Sequence, residues 1–121
     1  MLLDASALLA LFLQEPGQDI VAELAPRSFI ASANLIEVLS HRAVDHASVQ
    51  LSLDLLQLTV LPMGRAEADI AGLLLRRHRG KLSLGDCACI ATAELHRLPV
   101  LTADRIWATL PLPVEVRLIR P

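Results

Sequence analysis

Three times along this chain a short apolar run leads into a stretch with helical periodicity, and that alternation limits the architecture more than any other feature. Met1–Leu3 precedes a helix carrying Leu8, Leu9 and Phe12, and Ser28–Ala31 precedes one predicted from Ala33 to about Ala47. Thr59–Leu61 precedes a third, from Ala66 to Arg79. Two further strand candidates, Val100–Thr102 and Val114–Ile119, complete the pattern, the last alternating apolar and polar as a half-exposed strand does. Strands separated by helices build βα units. The expected fold is therefore α/β in three layers, a mostly parallel central sheet flanked by helices.

Local signals refine the boundaries. Ser6 is a candidate cap for the first helix, and Pro16 with Gly17 breaks it before a short helix over Asp19–Leu24. Leu51–Leu58 reads as another helix, and Gly80 as a stop signal. Ser83 and Asp86 have the spacing of a capping box for a helix starting near Leu84. From Cys87 to Ala93 only Thr92 is polar, so that helix should be buried on most sides, its small residues permitting close approach.

Length matters here because 121 residues suffice for one domain and not for two ordinary ones, so residues 1–121 are expected to form a single unit. With 54% hydrophobic but only 2% aromatic residues, the core must come from Leu, Ala, Val and Ile. So apolar a chain should leave hydrophobic surface for a second copy or another protein to cover. A net charge of −2 supplies no overall attraction to nucleic acid, which leaves phosphate contacts to a local patch or a bound cation. Cys87 and Cys89 suit neither a disulfide framework nor a zinc knuckle and are expected to be buried thiols. The apolar run Leu8–Leu13 is too short to span a bilayer and has no basic residues before it, so a cytoplasmic protein without a targeting signal is expected.

Four acids occupy suggestive places. Asp4 and Asp104 lie just after strands, Glu37 near the start of a helix that follows a strand, and Asp86 in the first turn of its helix. In a parallel sheet ligands bind outside the carboxyl ends of the strands, and all four acids could reach that edge. Two carboxylates about 4 Å apart repel by roughly 4 kcal/mol at an effective dielectric of about 20, so protonation or a hard cation must offset the repulsion. No histidine accompanies the acids at a ligand-like spacing, which favours Mg²⁺ or Mn²⁺ over zinc. Such a site could activate a water for attack on phosphorus. Ser6 and Thr102, each two residues from an acid, could hold the carboxylates. Each acid also has an ordinary alternative as a helix cap or dipole partner, and spacing alone leaves both open.

The run Arg76, Arg77, Arg79 and Lys81 precedes the segment bearing Asp86 and is a candidate RNA contact, or equally a solvated helix end whose cations suit the dipole. His41, His46 and His96 read as surface or boundary residues, and Trp107 as a packing anchor. Leu51–Leu61, with Leu9 and Phe12, could form a dimer face, a partner groove or part of the core.

Taken together, MLLDASALLALF, SANLIEVLS and LSLGDCACIATAELHRLPVLTADRIW resemble the PIN domain family, and within it the VapC-type toxins. The last segment carries a Gly-Asp step, a helix of small residues, and the Thr102, Asp104, Trp107 ending. The resemblance, extending over nearly the whole chain, places the family's acidic quartet on Asp4, Glu37, Asp86 and Asp104, with Ser6 and Thr102 as supporting hydroxyls. It implies a PIN-like fold, Mg²⁺-dependent cleavage of RNA (with Mn²⁺ an acceptable substitute), a homodimer, and neutralisation by a cognate VapB-type antitoxin. Where some members add another acid after the Thr-x-Asp step, this chain has Arg105 and Ile106. Two other functions fit the same residues: a non-catalytic PIN domain that binds RNA or protein, and a metal-dependent phosphatase acting on a small phosphate ester.

Overall fold

The computed structural model describes residues 1–121. Its elements are β1 (Leu2–Leu3), α1 (Ala5–Phe12), α2 (Gln18–Leu24), β2 (Phe29–Ala31), α3 (Ser32–Ser40), α4 (His46–Leu55), β3 (Thr59–Leu61), α5 (Arg65–Arg77), α6 (Leu84–His96), β4 (Val100–Thr102), a 3₁₀ turn (Arg105–Thr109) and β5 (Val116–Leu118). The strands form one sheet in the order β3-β2-β1-β4-β5, with every neighbouring pair parallel.

Although β1 has only two residues, it organises the core. Successive strand residues point to opposite faces, so Leu2 and Leu3, both fully buried, serve different layers. Leu3 packs with Ile30 and Leu101 against Ala7, Leu8 and Ala10 of α1, Val21 of α2, Val38 of α3 and Val49 of α4. On the other face, Leu2 and Val100 meet Ala71 and Leu74 of α5, five residues of α6, and Trp107. The result is the expected three-layer α/β fold. Each fully buried Leu contributes roughly 1.5–3 kcal/mol relative to exposure, so truncating Leu3 would weaken the α1–α4 face of the sheet at its centre and truncating Leu2 the α5/α6 face.

Five of the thirteen residues of α6 are Ala or Cys and all five are buried, which lets the helix lie close to the sheet. Both thiols are buried and free. Gly17, with φ of 94°, makes the turn into α2, and a Cβ there would approach the Ile119 carbonyl oxygen to 2.5 Å. That residue must therefore be glycine on two counts, backbone conformation and space.

Three boundaries differ from the sequence-based expectation. The helix predicted over 33–47 stops at Ser40, because His41 turns extended (φ −72°, ψ 129°) and Asp45 starts a new helix by accepting the Ser48 N–H at 2.9 Å. The next helix accordingly spans His46–Leu55 and not Leu51–Leu58. Ser6 does not cap α1: Asp4 occupies that position without a capping bond, and the Ser6 hydroxyl is used elsewhere.

Candidate metal centre

In this sheet the chain moves outward from β1 through β2 to β3, then returns to the other side of β1 for β4 and β5. The crevice between β1 and β4 is thus the point where the strand order reverses, the place where parallel sheets form ligand sites. Asp4 leaves β1 there, its N–H bonded to the Leu101 carbonyl at 2.9 Å, and Asp104 follows β4.

Asp4 is buried, 4% exposed, and held from both strands. Its Oδ2 accepts the Ser6 hydroxyl at 2.6 Å and the Thr102 hydroxyl at 3.0 Å. Ser6 Oγ in turn accepts the Ala103 N–H at 3.0 Å, and Thr102 Oγ1 the Asp104 N–H at 3.1 Å. These bonds join the end of β1 to the end of β4. Neither hydroxyl bonds Oδ1, so one carboxylate oxygen is immobilised by side chains while the other is left for a different partner.

The other three acids are held on separate elements. Asp86 sits in the first turn of α6 in a complete capping box, its Oδ2 accepting the Ser83 N–H at 2.9 Å while Ser83 Oγ accepts the Asp86 N–H at 3.1 Å. Asp104 caps the 3₁₀ turn, with Oδ1 accepting the Ile106 N–H at 3.0 Å. Glu37 lies on α3 as an exposed residue whose carboxylate is part-buried, its Oε1 accepting from Asn34 Nδ2 at 3.0 Å. Asn34 Nδ2 also reaches the Gly85 carbonyl oxygen, at 3.1 Å.

Electrostatics place these groups in one neighbourhood. Burial pushes the Asp4 carboxyl above its ordinary range, the Asp86 charge adds to this, and the Ser6 and Thr102 bonds oppose it. Glu37 is raised by burial and then by the charges of Asp4 and Asp86, against the Asn34 bond. Asp86 is raised by burial and by Asp104, against its bonds to Ser83. The Trp107 indole N–H, buried without a bond of ordinary geometry, also favours the Asp86 charge. Beneath them the Cys89 thiol is pushed up by its own burial and then by Asp4, Asp86 and Glu37 together.

No lysine or arginine neutralises these acids, since the chain's one ion pair joins Arg117 to Glu115. A set of uncompensated carboxylate oxygens suits a hard divalent cation. The donor set fits in kind, yet it is open: no three His, Cys, Asp or Glu side chains are gathered tightly enough to enclose a metal ion. Nor do the four acids line any of the three surface cavities.

Arg76, Arg77, Arg79 and Lys81 are exposed and form no ion pair. Arg77 lines a groove of about 280 Å³ with Leu73, Glu94 and Pro111, and none of the four acids borders it. Trp107 is fully buried, and His41, His46 and His96 are exposed, as expected. Sequence reasoning missed Asn34 and Gly85. The signal for Asn34 was a polar residue three positions before Glu37, hence on the same helix face, in an otherwise apolar stretch. Gly85 gave none beyond its place beside Asp86.

Among solved structures, a toxin-antitoxin complex from Klebsiella pneumoniae is similar at 23% identity with a TM-score of 0.75, covering 94% of this chain and 98% of that one. DNA-bound VapBC from Salmonella typhimurium is similar at 17% identity and TM-score 0.70, covering 98% and 96%. FitAcB from Neisseria gonorrhoeae is similar at 21% and 0.66, covering 95% and 94%. At these identities the likeness concerns the fold. No curated protein matches in sequence. The PIN domain family does match, over residues 1–111, and together with the three-layer parallel fold this settles the assignment: the chain belongs to the PIN domain family.

Proposed function

We propose that this chain, acting as one PIN-like domain over residues 1–121, is the Mg²⁺-dependent endoribonuclease toxin of a VapBC-type toxin-antitoxin pair. The observation that carries this reading is a group of carboxylates at the β1/β4 crevice with no protein cation to balance them. Nucleases of the PIN family generally depend on a divalent metal, and the similar structures are toxin-antitoxin complexes. Mg²⁺ bound among Asp4, Glu37, Asp86 and Asp104 would supply a more acidic water and charge neutralisation for an RNA phosphodiester. Mn²⁺ satisfies the same oxygen donors.

The protein's own part is positional. Ser6 and Thr102 fix one oxygen of Asp4, and the Ser83 cap fixes one oxygen of Asp86, so each acid offers its other oxygen with little freedom. Exposed Arg76, Arg77, Arg79 and Lys81 are candidates for holding RNA phosphates away from the acids. The phosphatase reading, a small phosphate ester at the same acids, ranks last because the similar structures are toxin-antitoxin complexes. Exposed Ile36, Leu51, Leu55, Leu73 and Leu84 give a homodimer or a VapB-type antitoxin apolar surface to cover. No helix is long and apolar enough to cross a membrane, and the cytoplasm is the proposed location.

The lack of a closed ligand cage, together with Arg105 and Ile106 after the final acid, favours one rival, a non-catalytic PIN domain that binds RNA or protein without metal. Incubating the protein with total cellular RNA and Mg²⁺, with EDTA and Asp86→Asn as controls, separates the two. Discrete cleavage lost in both controls supports the nuclease. Intact RNA, with no Mn²⁺ binding by calorimetry, would leave the rival.

A further inference from the structure

We infer that Asn34 and Gly85 form a paired device that positions Glu37 against α6. The inference rests on the reading of Glu37 as a metal-site acid for its functional consequence, while the device itself is visible in the metal-free protein. Two observations carry it.

The first is the wiring of Asn34. This residue is fully buried on α3, where its neighbours Leu35 and Val38 show that an aliphatic side chain suits the environment. Its Nδ2 forks between Glu37 Oε1 at 3.0 Å and the Gly85 carbonyl oxygen at 3.1 Å, so one amide ties the acid of α3 to the backbone of α6. Its Oδ1 has no partner. A buried carbonyl oxygen left unpaired is a standing cost that a residue serving only to fill space would not carry. What the amide provides in return is a donor to both helices at once.

The second is the space at Gly85. Its φ lies outside the left-handed region, so the backbone does not call for glycine, and glycine disfavours a helix. A Cβ there would collide with Glu37 Oε1, and the three atoms nearest to it are all from the Glu37 carboxylate. The missing side chain is the berth in which that carboxylate lies. A glutamate on an exposed helix surface would otherwise sample many rotamers, and losing that freedom on each binding event would weaken a metal. Held by Asn34 and seated at Gly85, Glu37 is instead fixed beside the residue that precedes Asp86. Asn34 is a positioning residue in this scheme and touches neither metal nor substrate.

Asn34 is the only asparagine in the chain, so selective ¹⁵N labelling gives one side-chain amide nitrogen with its pair of proton signals. In metal-free protein its protons should exchange slowly with solvent and shift on Glu37→Ala; a fast-exchanging signal indifferent to that change would overturn the device. Calorimetry with Mn²⁺ then tests the consequence. Asn34→Ala and Gly85→Ala should each weaken binding by about tenfold or more in the native background, the usual scale for a residue that orients a ligand. With Glu37 already changed to alanine, each should cost less than about twofold. Equal losses in both backgrounds would mark general damage to the α3–α6 contact and overturn the positioning role. Should the native protein bind no Mn²⁺, the metal reading fails by itself, and the amide signal still decides whether Glu37 is held.

Discussion

Asp4 and Glu37 are restrained in opposite ways. Asp4 is buried where two central strands end, and two hydroxyls, one from each side of the crevice, converge on the same oxygen. Glu37 stands at the exposed rim, held by one amide and by the absence of a side chain at Gly85. The first arrangement belongs to the core and cannot move without separating β1 from β4. The second joins α3 to the first turn of α6 and depends on how the two helices lie together. A deep anchor and an adjustable arm therefore serve one charge cluster, and their substitutions should have different consequences.

Asp4→Asn should have the largest effect. Cleavage should fall to background, because the charge is lost at the anchor, while the shape and both hydroxyl contacts survive. At the same time the metal-free protein should become more stable, since a buried charge repelled by Asp86 has been removed. Thermal unfolding in EDTA should show a rise of a few degrees, on the scale of roughly 4 °C per kcal/mol for a chain of this size. A fall would mean that the carboxylate stabilises the fold, contrary to its place as an uncompensated charge. Glu37→Gln should lower activity by about tenfold and leave metal-free stability within about 0.5 kcal/mol, as expected for an exposed position. Losses equal to those of Asp4→Asn would erase the distinction between anchor and arm.

How much of this was legible beforehand follows from the range of each interaction. The alternation of short apolar runs with helical periods is local, and it gave the parallel three-layer fold. The capping box at Ser83 and Asp86 is also local, its partners three positions apart, and its geometry is as the spacing implied. The break after Ser40 was missed because Ala43, Val44 and Ala47 continue the apolar period, and only the bond from Asp45 to Ser48 ends the argument for one helix. That the Ser6 hydroxyl could hold Asp4 follows from their spacing of two residues, but its links to Thr102 and Ala103, nearly a hundred residues away, could not be read from the sequence. Gly85 was opaque for the same reason: a missing Cβ has meaning only when the neighbour that would meet it, Glu37, is known.

Thr102→Val tests the anchor from its other side. The change keeps the β-branched shape in β4 but removes one donor from Asp4 Oδ2 and one acceptor from the Asp104 N–H. Metal affinity should drop by about tenfold, less than for Asp4→Asn, with roughly 1–2 kcal/mol lost in stability. Calorimetry and thermal unfolding on the same sample measure both. An unchanged affinity would show that Ser6 alone holds the carboxylate.

The smallest expected effect is the dependence of stability on pH. Asp4, Glu37 and Asp86 are all raised above their ordinary range in the folded chain, so the fold binds protons more tightly than the unfolded chain does. For acids shifted this way the contribution to stability is full below the unfolded value and is lost as pH rises through the folded one. In EDTA, the unfolding midpoint should therefore decline as pH climbs out of the carboxylate range. Asp4→Asn should flatten that decline by removing the most deeply buried of the three. Excess Mg²⁺ should reverse its sign, because a cation binds the charged acids and adds stability where they are ionised. If the slope in EDTA already rises with pH, the acids are compensated within the protein, and the contrast between an anchor needing a cation and an arm that completes the set loses its basis.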